Sequence, residues 1–306
     1  MCFILLVYTK DMSNTLVRFR MLVLGIGFIV TALLAALPYL EGGLPAELLS
    51  ATREPYLTVA FLDVGQGDAI YIETPDGVQL LIDGGPDGTV LRELPLVMPW
   101  WDRRIDMILA THPDKDHIGG LVDVLTRYEV GKIIRTENES DTAVASAFSF
   151  MSAEEVGAIT HLARAGDVIQ LGASTTLTVY SPASDPTTWE SNNASIVTKL
   201  TYGEIDFMLT GDASVGTEEW MIDEYGGLLS SEVLKLGHHG SRTSTADSFL
   251  DTVQPTYAIV SAGADNRYGH PHEEVVAKVQ ARNIQLLDTL GGAVVFRSDG
   301  GRVWLE

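Results

Sequence analysis

Cysteine is almost absent from this chain of 306 residues, which restricts its covalent and metal chemistry. The single cysteine, Cys2, has no partner for an intramolecular disulfide. A metal site built on thiolates is therefore excluded from the main part of the chain. Any metal site there must use histidine and carboxylate ligands. An oxidising compartment is allowed by this composition but is not indicated by it.

Basic residues are also scarce. The chain has 20 Lys and Arg residues against 41 Asp and Glu residues, and its formal net charge is −21. A surface this acidic repels polyanions at long range, which argues against tight, non-specific retention of nucleic acid. It does not exclude a nuclease, because bound divalent cations can invert the local field. With 46% hydrophobic residues, the composition is that of a globular protein with a core.

Charge is missing altogether from residues 21–40, an apolar run with the length of one bilayer span of about 20 residues. Lys10, Arg18 and Arg20 precede this run, and Glu41 follows it. The positive-inside rule then predicts a membrane anchor that leaves the rest of the chain on the extracytoplasmic side. A cleaved signal peptide, followed by secretion, is the alternative.

The predicted organisation has four parts: a cytoplasmic leader (1–20), the anchor or signal segment (21–40), a linker with Gly and Pro (41–55) and one domain (56–306). Within the domain, short β-rich runs alternate with helical patterns. Helices are expected at 121–128, around 153–162, and at 273–279. This order predicts an α/β (α+β) fold in which two sheets pack face to face and helices cover both.

The densest group of chemically useful side chains lies between an apolar run at 105–110 and a Gly-Gly pair. His112, Asp114, Asp116 and His117 fall within six residues there. Imidazole and carboxylate are the ligands that zinc and manganese use in proteins. One loop after a strand can thus supply ligands to two adjacent cations, and a polar surface loop is a poorer account of this HxDxDH pattern.

Other candidate residues also follow apolar strands. His238 and His239 form a pair before a Gly-Ser turn, Asp212 ends the run 205–209, and Asp83 ends the run 78–82. A carboxylate at the end of a rigid strand can be held fixed at a site, and Asp83 is placed to orient a metal ligand. Only His161 of the seven histidines lies outside such strand-end loops, and a surface or packing role is expected for it.

A series of seven motifs, in order along 56–306, resembles the metallo-β-lactamase-type domain of the ComEC family of DNA-uptake competence proteins. They are 63–68 (DVGQGD), 83–85 (DGG), 112–117 (HPDKDH), 192–195 (NNAS), 209–212 (LTGD), 236–241 (LGHHGS) and 266–272 (NRYGHPH). The resemblance implies a four-layer αββα sandwich with a metal centre between its sheets. It also implies hydrolysis of a phosphodiester substrate, with single-stranded DNA among the candidates.

Motif by motif, the resemblance implies roles for individual residues. His112 and Asp114 would hold one divalent cation, and Asp212 would bridge it to a second one. The second cation would be held by Asp116, His117 and either His238 or His239, of which His239 is preferred. Asp116 would also take part in catalysis by a hydroxide bridging the cations, and the remaining candidates would contact substrate phosphate or protonate a leaving group: His238 and His270 for catalysis, and Asn193, Ser241 and Arg267 for binding.

Two departures from the superfamily pattern narrow these expectations. Asp114 stands where the wider superfamily has a second histidine, and Asn192 and Asn193 stand near the position of a later one. The first cation would then have more oxygen ligands than a typical dizinc site, which favours manganese over zinc. The other departure is that one predicted span cannot form a channel, so DNA import by this chain alone is not expected.

Two other functions remain open from the sequence. One is a hydrolase of the same fold that acts on small esters such as phosphocholine groups, which the acidic surface favours. The other is a metal-stabilised binding module without turnover. No protein partner is indicated by the sequence.

Overall fold

Two β-sheets form the centre of residues 56–306, the part of the chain that the computed structural model describes. The first sheet has the strand order β15-β14-β1-β2-β3-β4-β5-β6. Its strands are β1 (Leu57–Phe61), β2 (Ile70–Glu73), β3 (Gln79–Ile82), β4 (Arg104–Ala110), β5 (Glu129–Arg135), β6 (Ile159–Leu162), β14 (Val294–Ser298) and β15 (Val303–Leu305).

The second sheet has the strand order β13-β12-β11-β10-β9-β8-β7. Its strands are β7 (Val168–Leu171), β8 (Thr175–Ser181), β9 (Val197–Tyr202), β10 (Ile205–Leu209), β11 (Val233–Lys235), β12 (Tyr257–Val260) and β13 (Gln285–Asp288). The helices are α1 (Val90–Val97), α2 (Lys115–Leu125), α3 (Ala143–Glu154), α4 (Val215–Tyr225), α5 (Asp247–Val253) and α6 (Glu273–Ala281).

Three apolar layers hold the sheets and helices together. Because successive side chains of a strand point to opposite faces, Phe61 joins the layer between the sheets while Ala60 faces the helices. In the central layer, Phe61 and Phe207 both pack edge-to-face on Phe296, with ring centroids 6.1 and 6.0 Å apart. Helices α1–α3 cover the first sheet and α4–α6 cover the second, which gives the expected αββα sandwich.

Parallel strand pairing explains why the candidate residues meet. β3, β4 and β5 run parallel in the first sheet, and β10, β11 and β12 run parallel in the second. The carboxyl ends of parallel strands lie at one edge, where α/β proteins bind ligands. The loops after β3, β4, β10, β11 and β12 carry Asp83, the HxDxDH motif, Asp212, the His238–His239 pair and His270, respectively.

Helix α2 begins inside the HxDxDH motif, six residues before the predicted start. Its two glycines lie within the helix because the backbone of the loop after β3 packs directly against them. A Cβ on Gly120 would lie 1.9 Å from the carbonyl oxygen of Gly84. Gly84 N–H also donates to the carbonyl of His117 at 2.7 Å. This close approach joins the loop of Asp83 to the helix that carries His117.

The predicted helix around 153–162 was wrong. Helix α3 ends at Glu154, and the chain turns at Gly157, which has φ +86°, before entering β6. Strand β6 pairs in parallel with β5, so tertiary pairing decides the state of this polar stretch. His161, for which a surface or packing role was expected, lies there with its Nε2 2.8 Å from Asp167 Oδ2. Helices α1, α4 and α5 and strand β13 were not predicted.

Within residues 56–306, no helix is both long and apolar enough to cross a membrane. The predicted leader, span and linker at 1–55 lie outside the described residues.

Candidate metal centre

The carboxylate of Asp212, at the end of β10, is the point on which three buried imidazoles converge. Its Oδ1 lies 3.3 Å from Nε2 of His117. Its Oδ2 lies 3.6 Å from Nε2 of His239 and 3.9 Å from Nε2 of His112. All four side chains are buried, at 3% exposure or less. Strand ends from both sheets therefore deliver nitrogen and oxygen donors to one small volume.

His117 is oriented from behind by Asp83. The Oδ2 of Asp83 lies 2.7 Å from Nδ1 of His117 and accepts a hydrogen bond from the Thr111 hydroxyl at 2.7 Å. Its Oδ1 accepts from the Thr111 backbone N–H at 2.9 Å. A carboxylate at Nδ1 favours the tautomer protonated there, which leaves the Nε2 lone pair free for a cation.

His112 is oriented in the same way by hydroxyl groups. Its Nδ1 lies 3.0 Å from the Thr111 hydroxyl and 3.3 Å from that of Ser195. The Thr111 hydroxyl donates to Asp83 and the Ser195 hydroxyl accepts from Asp212 N–H. Because the Thr111 oxygen keeps a lone pair for the His112 Nδ1–H, the Nε2 atom of His112 is again turned toward Asp212.

His239 is backed by two residues to which no site role was assigned from the sequence, Asp68 and Lys235. The Oδ1 of Asp68 lies 3.3 Å from Nδ1 of His239 and 2.8 Å from Nζ of Lys235. Asp68, His117, Asp212 and His239 all have ligand atoms within 4.8 Å of one another. Because Asp68 contacts the nitrogen of His239 that faces away from Asp212, we assign it to orienting His239.

The signals for these two residues were present in the sequence. Asp68 ends the motif at 63–68 just before an apolar strand. Lys235 interrupts an apolar strand three residues before the histidine pair, and it is fully buried. A Cβ on Gly67 would lie 2.1 Å from the carbonyl of Asp116, so only glycine lets the first motif approach the metal-site loop this closely.

The turn at Gly237–Gly240 aims both histidines of the pair inward. His238 and His239 have φ +48° and +55°, in the left-handed region that costs a residue other than glycine about 1 kcal/mol or more. Nε2 of His238 lies 3.7 Å from Oδ2 of Asp212. His238 is more exposed than His239, and a Thr243 hydroxyl rather than a carboxylate lies beside its Nδ1, at 3.1 Å.

The two carboxylates of the HxDxDH motif lie at the mouth of the centre. Asp116 Oδ2 is 3.4 Å from Nε2 of His239, and Asp114 Oδ2 is 3.8 Å from Nε2 of His112. Asp114 accepts a hydrogen bond from the Ser191 hydroxyl at 2.6 Å. Each carboxylate is thus beside a different imidazole, on two sides of Asp212.

The charges of the centre perturb one another. Burial opposes ionisation of Asp212, but the imidazoles of His239 and His117 hold its pKa well below the usual value. Burial lowers the pKa of His239, but Asp212 and Asp68 outweigh burial and raise it to about 9. The pKa of His117 is raised for the same reason by Asp212 and Asp83, whereas burial and His117 lower the pKa of His112.

The donor set fits divalent cations. The Nε2 atoms of His112, His117 and His239 are buried and form no hydrogen bond within residues 56–306. Leaving such atoms unsatisfied costs about 1–3 kcal/mol each, which a cation bound between them and Asp212 would offset.

The remaining predicted residues lie at different distances from this centre. The His270 ring is 5.4 Å from that of His238, centroid to centroid. Asn193 lies one residue beyond Asn192, whose Nδ2 is 3.4 Å from Nδ1 of His238. Ser241 and Arg267 have partners other than Asp212. Ser241 is buried with its hydroxyl engaged by Thr243, and Arg267 is bonded to the Tyr268 hydroxyl at 2.8 Å.

An αββα sandwich with this donor cluster at the strand ends defines a metal-dependent protein of the metallo-β-lactamase type. The family model described as "Metallo-beta-lactamase superfamily" matches residues 62–264, and the chain belongs to that superfamily.

Sequence comparison finds curated relatives among competence proteins. The chain is 30% identical over 262 residues to "ComE operon protein 3" of Bacillus subtilis, covering 78% of this chain and 33% of the relative. It is 32% identical over 258 residues to "Competence protein ComA" of Neisseria gonorrhoeae, covering 83% and 34%, respectively. The chain thus spans about a third of the length of these relatives.

A solved structure confirms the fold at low sequence identity. The crystal structure of CmlA, a diiron beta-hydroxylase from Streptomyces venezuelae, is similar with a TM-score of 0.54 at 14% identity. The similarity covers 81% of this chain and 55% of CmlA.

Proposed function

We propose that the protein is a metal-dependent phosphodiesterase that acts on nucleic acid, with single-stranded DNA as the substrate to test first. The observation that carries the proposal is the convergence on Asp212 of three buried imidazole nitrogens that form no hydrogen bond within residues 56–306. The competence proteins among its relatives support nucleic acid as the substrate class.

Two divalent cations, manganese or zinc, are proposed for this centre. His112 and Asp114 would hold one, Asp116, His117 and His239 would hold the other, and Asp212 would bridge them. When bound, such a pair supplies Lewis acidity toward phosphoryl oxygens and a water with a lowered pKa. Support for His239 over His238 as the ligand comes from its complete burial and from the carboxylate behind its Nδ1.

The residues of this chain would position the phosphodiester. His238 is partly exposed beside Asp212 and is placed to donate to a phosphate oxygen. Burial and the neighbouring His238 lower the pKa of His270 to about 4, so it is neutral at pH 7 and suits hydrogen bonding better than proton donation. Asp83 and Asp68 would hold the ligating imidazoles in orientation.

The proposed location is the extracytoplasmic face of the membrane, with residues 21–40 as the anchor. It rests on the uncharged run and on the basic residues that precede it. Secretion after signal cleavage is the alternative, and the amino-terminal residue of the mature protein would distinguish the two.

The experiment is hydrolysis by the full chain, loaded with manganese or zinc, of single-stranded DNA and of a chromogenic phosphodiester. Asp212→Ala should lower the rate by about 100-fold or more and reduce the bound metal, because the carboxylate between the cations is lost. Elemental analysis measures the metal content. Asp223→Ala removes an exposed carboxylate on α4 and is the matched control. It should keep both the hydrolysis rate and the metal content of the wild type.

Full activity in Asp212→Ala would overturn the bridging role. A phosphocholine ester is tested as a third substrate, and hydrolysis of this ester alone would favour a small-ester hydrolase. Bound metal without hydrolysis of any of these would instead favour a binding module.

A further inference from the structure

A cleft of about 460 Å³ opens between the loop after β8 and the start of α4. This volume is in the range of small-molecule sites, roughly 300–1,000 Å³. Two tryptophans and several hydroxyl and amide groups line it: Trp189, Trp220, Ser184, Asn193, Ser214 and Thr217. None of these residues has a role in the proposed chemistry except Asn193.

One short segment joins this cleft to the metal centre. Ser191 donates to Asp114 at the mouth of the centre, and the amide of Asn192 lies beside His238. The next residue, Asn193, lines the cleft. The metal centre and the cleft are therefore adjacent, so a nucleic-acid strand bound at the centre would also reach the cleft.

A second segment makes the same connection. Ser214, in the cleft wall, follows Asp212 by two residues, so their backbones are at most about 7 Å apart at roughly 3.6 Å per extended residue. The Ser214 hydroxyl donates to Oδ1 of Asn193 at 2.5 Å. The two segments thus brace each other at the boundary between cleft and centre.

Contacts to the rest of the molecule hold the backbone of Trp189 and the ring of Trp220. The side-chain amide of Asn138, which is 5% exposed, donates to the carbonyls of Pro186 and Trp189 at 2.8 and 3.1 Å. The Trp220 ring packs edge-to-face on Tyr225, with centroids 5.6 Å apart. Trp189 keeps 36% of its surface exposed. Aromatic surface is therefore available to a ligand at little ordering cost.

The side chains that line the cleft are uncharged. Although the chain has 41 Asp and Glu residues, no carboxylate side chain lines the cleft. The Glu190 carboxylate lies at the edge of the cleft, where it accepts a hydrogen bond from Asn193 N–H at 3.3 Å. The uncharged lining therefore suits the base of a nucleotide rather than its phosphate. A quaternary ammonium group also binds tryptophan, but it would leave the hydroxyl and amide groups unused.

We propose that the cleft between Trp189 and Trp220 binds a nucleobase next to the phosphodiester held at the metal centre. The base stacks on tryptophan, and its polar edge bonds the hydroxyl and amide groups. This assignment rests on the proposed phosphodiesterase function and deepens it, because a base pocket selects an unpaired strand whose bases can leave the helix stack.

The test compares two substrates of equal length, oligothymidylate and a strand of abasic sugar-phosphate units, with the manganese-loaded full chain. Stacking is worth about 1–3 kcal/mol per base, so the wild type should show a KM about 5- to 150-fold lower for oligothymidylate. Trp220→Ala and Trp189→Ala should raise that KM toward the abasic value and leave hydrolysis of the abasic strand unchanged. Trp220→Phe should keep most of the preference.

Trp101→Ala is the matched control. Trp101 is 64% exposed and precedes β4, whereas the metal-site loop follows β4, so it lies at the other end of that strand. This variant should behave like the wild type. Equal losses on both substrates in the cleft variants would show an effect on the fold or on the centre, and would overturn the assignment.

Tryptophan fluorescence separates this inference from the function on which it rests. Oligothymidylate should quench the emission of the wild type, the abasic strand should quench it less, and the cleft variants should lose the difference. If neither strand is hydrolysed but this base-dependent quenching is present, the phosphodiesterase fails while the cleft assignment stands. Quenching by choline chloride in place of oligothymidylate would overturn it.

Discussion

At the scale of single residues, the buried pair Asp68–Lys235 is the least expected feature of the site. Two charges in a dry interior must be paired, and removing one partner alone costs about 3–5 kcal/mol. Burial tends to raise the pKa of Asp68, but Lys235 and His239 hold it well below its usual value. The ionised carboxylate can then accept the Nδ1–H of His239, which keeps the Nε2 atom free for a cation.

The first prediction concerns Lys235→Met, which preserves the bulk but removes the ammonium group. Without the ammonium group the pKa of Asp68 should rise, and its carboxylate should accept the hydrogen bond from His239 less well. Because His239 is then less well oriented, metal affinity should fall by about 10- to 100-fold. Calorimetric titration with manganese measures the affinity, and urea unfolding should show a loss of about 3 kcal/mol or more.

The double variant Lys235→Met with Asp68→Asn is the control for that result. It leaves no unpaired buried charge, so it should recover part of the stability, and the amide oxygen can still accept from His239. If the single variant binds manganese as well as the wild type does, Lys235 has no part in orienting His239.

At the scale of elements, α4 and α5 are joined by a carboxylate rather than by apolar packing alone. Helix α5 has Ala246 at its N-cap position, where alanine has no side-chain acceptor. Glu218 of α4 instead fixes the chain that enters α5: its two oxygens accept from the N–H groups of Thr245 and Ala246 at 2.7 and 2.8 Å. Burial nevertheless raises the pKa of Glu218 to about 7, against the opposing effect of these donors.

The second prediction follows from that raised pKa. Between pH 4.5 and 7 the folded protein holds the Glu218 proton more tightly than the unfolded chain does, so this group's contribution to stability falls as pH rises. Relative to Glu218→Gln, the free energy of unfolding of the wild type should fall by up to about 3 kcal/mol across that window. Urea unfolding at several pH values measures it.

Glu224→Gln, at an exposed carboxyl further along α4, is the control, and its stability should follow that of the wild type at every pH. A constant difference between wild type and Glu218→Gln would show that Glu218 does not titrate in this range.

Helices and strands were predictable where apolar residues recurred with a clear strand or helix period. The strand at Ile205–Leu209 and the start of α6 at Glu273 agree with the sequence patterns. Helix α2 was placed too late because its glycines indicated a turn, whereas packing against Gly84 requires them inside the helix. The helix expected around 153–162 failed because pairing of β6 with β5 overrides a weak local preference.

At the scale of the whole molecule, cations link charge to stability. The chain carries a formal net charge of −21, and its self-repulsion opposes the compact state. The buried carboxylates of the centre add local negative charge that a divalent cation would neutralise. Binding to the folded state alone stabilises it by mass action, by about 2.7 kcal/mol when the free cation is 100 times its Kd.

The third prediction is that manganese raises the melting temperature of the full chain and that a chelator reverses the change. Scanning calorimetry measures both. Affinity should increase with pH up to about 9, because a cation must displace the proton that Asp212 and Asp68 hold on His239. Asp212→Ala should show no such shift, and an equal shift in that variant would place the stabilising cation elsewhere.

The sequence by itself determined which candidate donor groups are present, their spacing along 112–117, and the strand ends that carry them. Local patterns suffice for these because turns and buried strands have strong residue preferences. Only the tertiary structure decided that Asp68 and Lys235 stand behind His239, that Ser241 is turned inward, and that Trp189 and Trp220 share one cleft. Asp68 is 167 residues from Lys235 and 171 residues from His239 in the chain, and the meeting of the two sheets brings these residues together. Trp189 and Trp220 are 31 residues apart and meet because α4 packs on the second sheet beside the loop that follows β8.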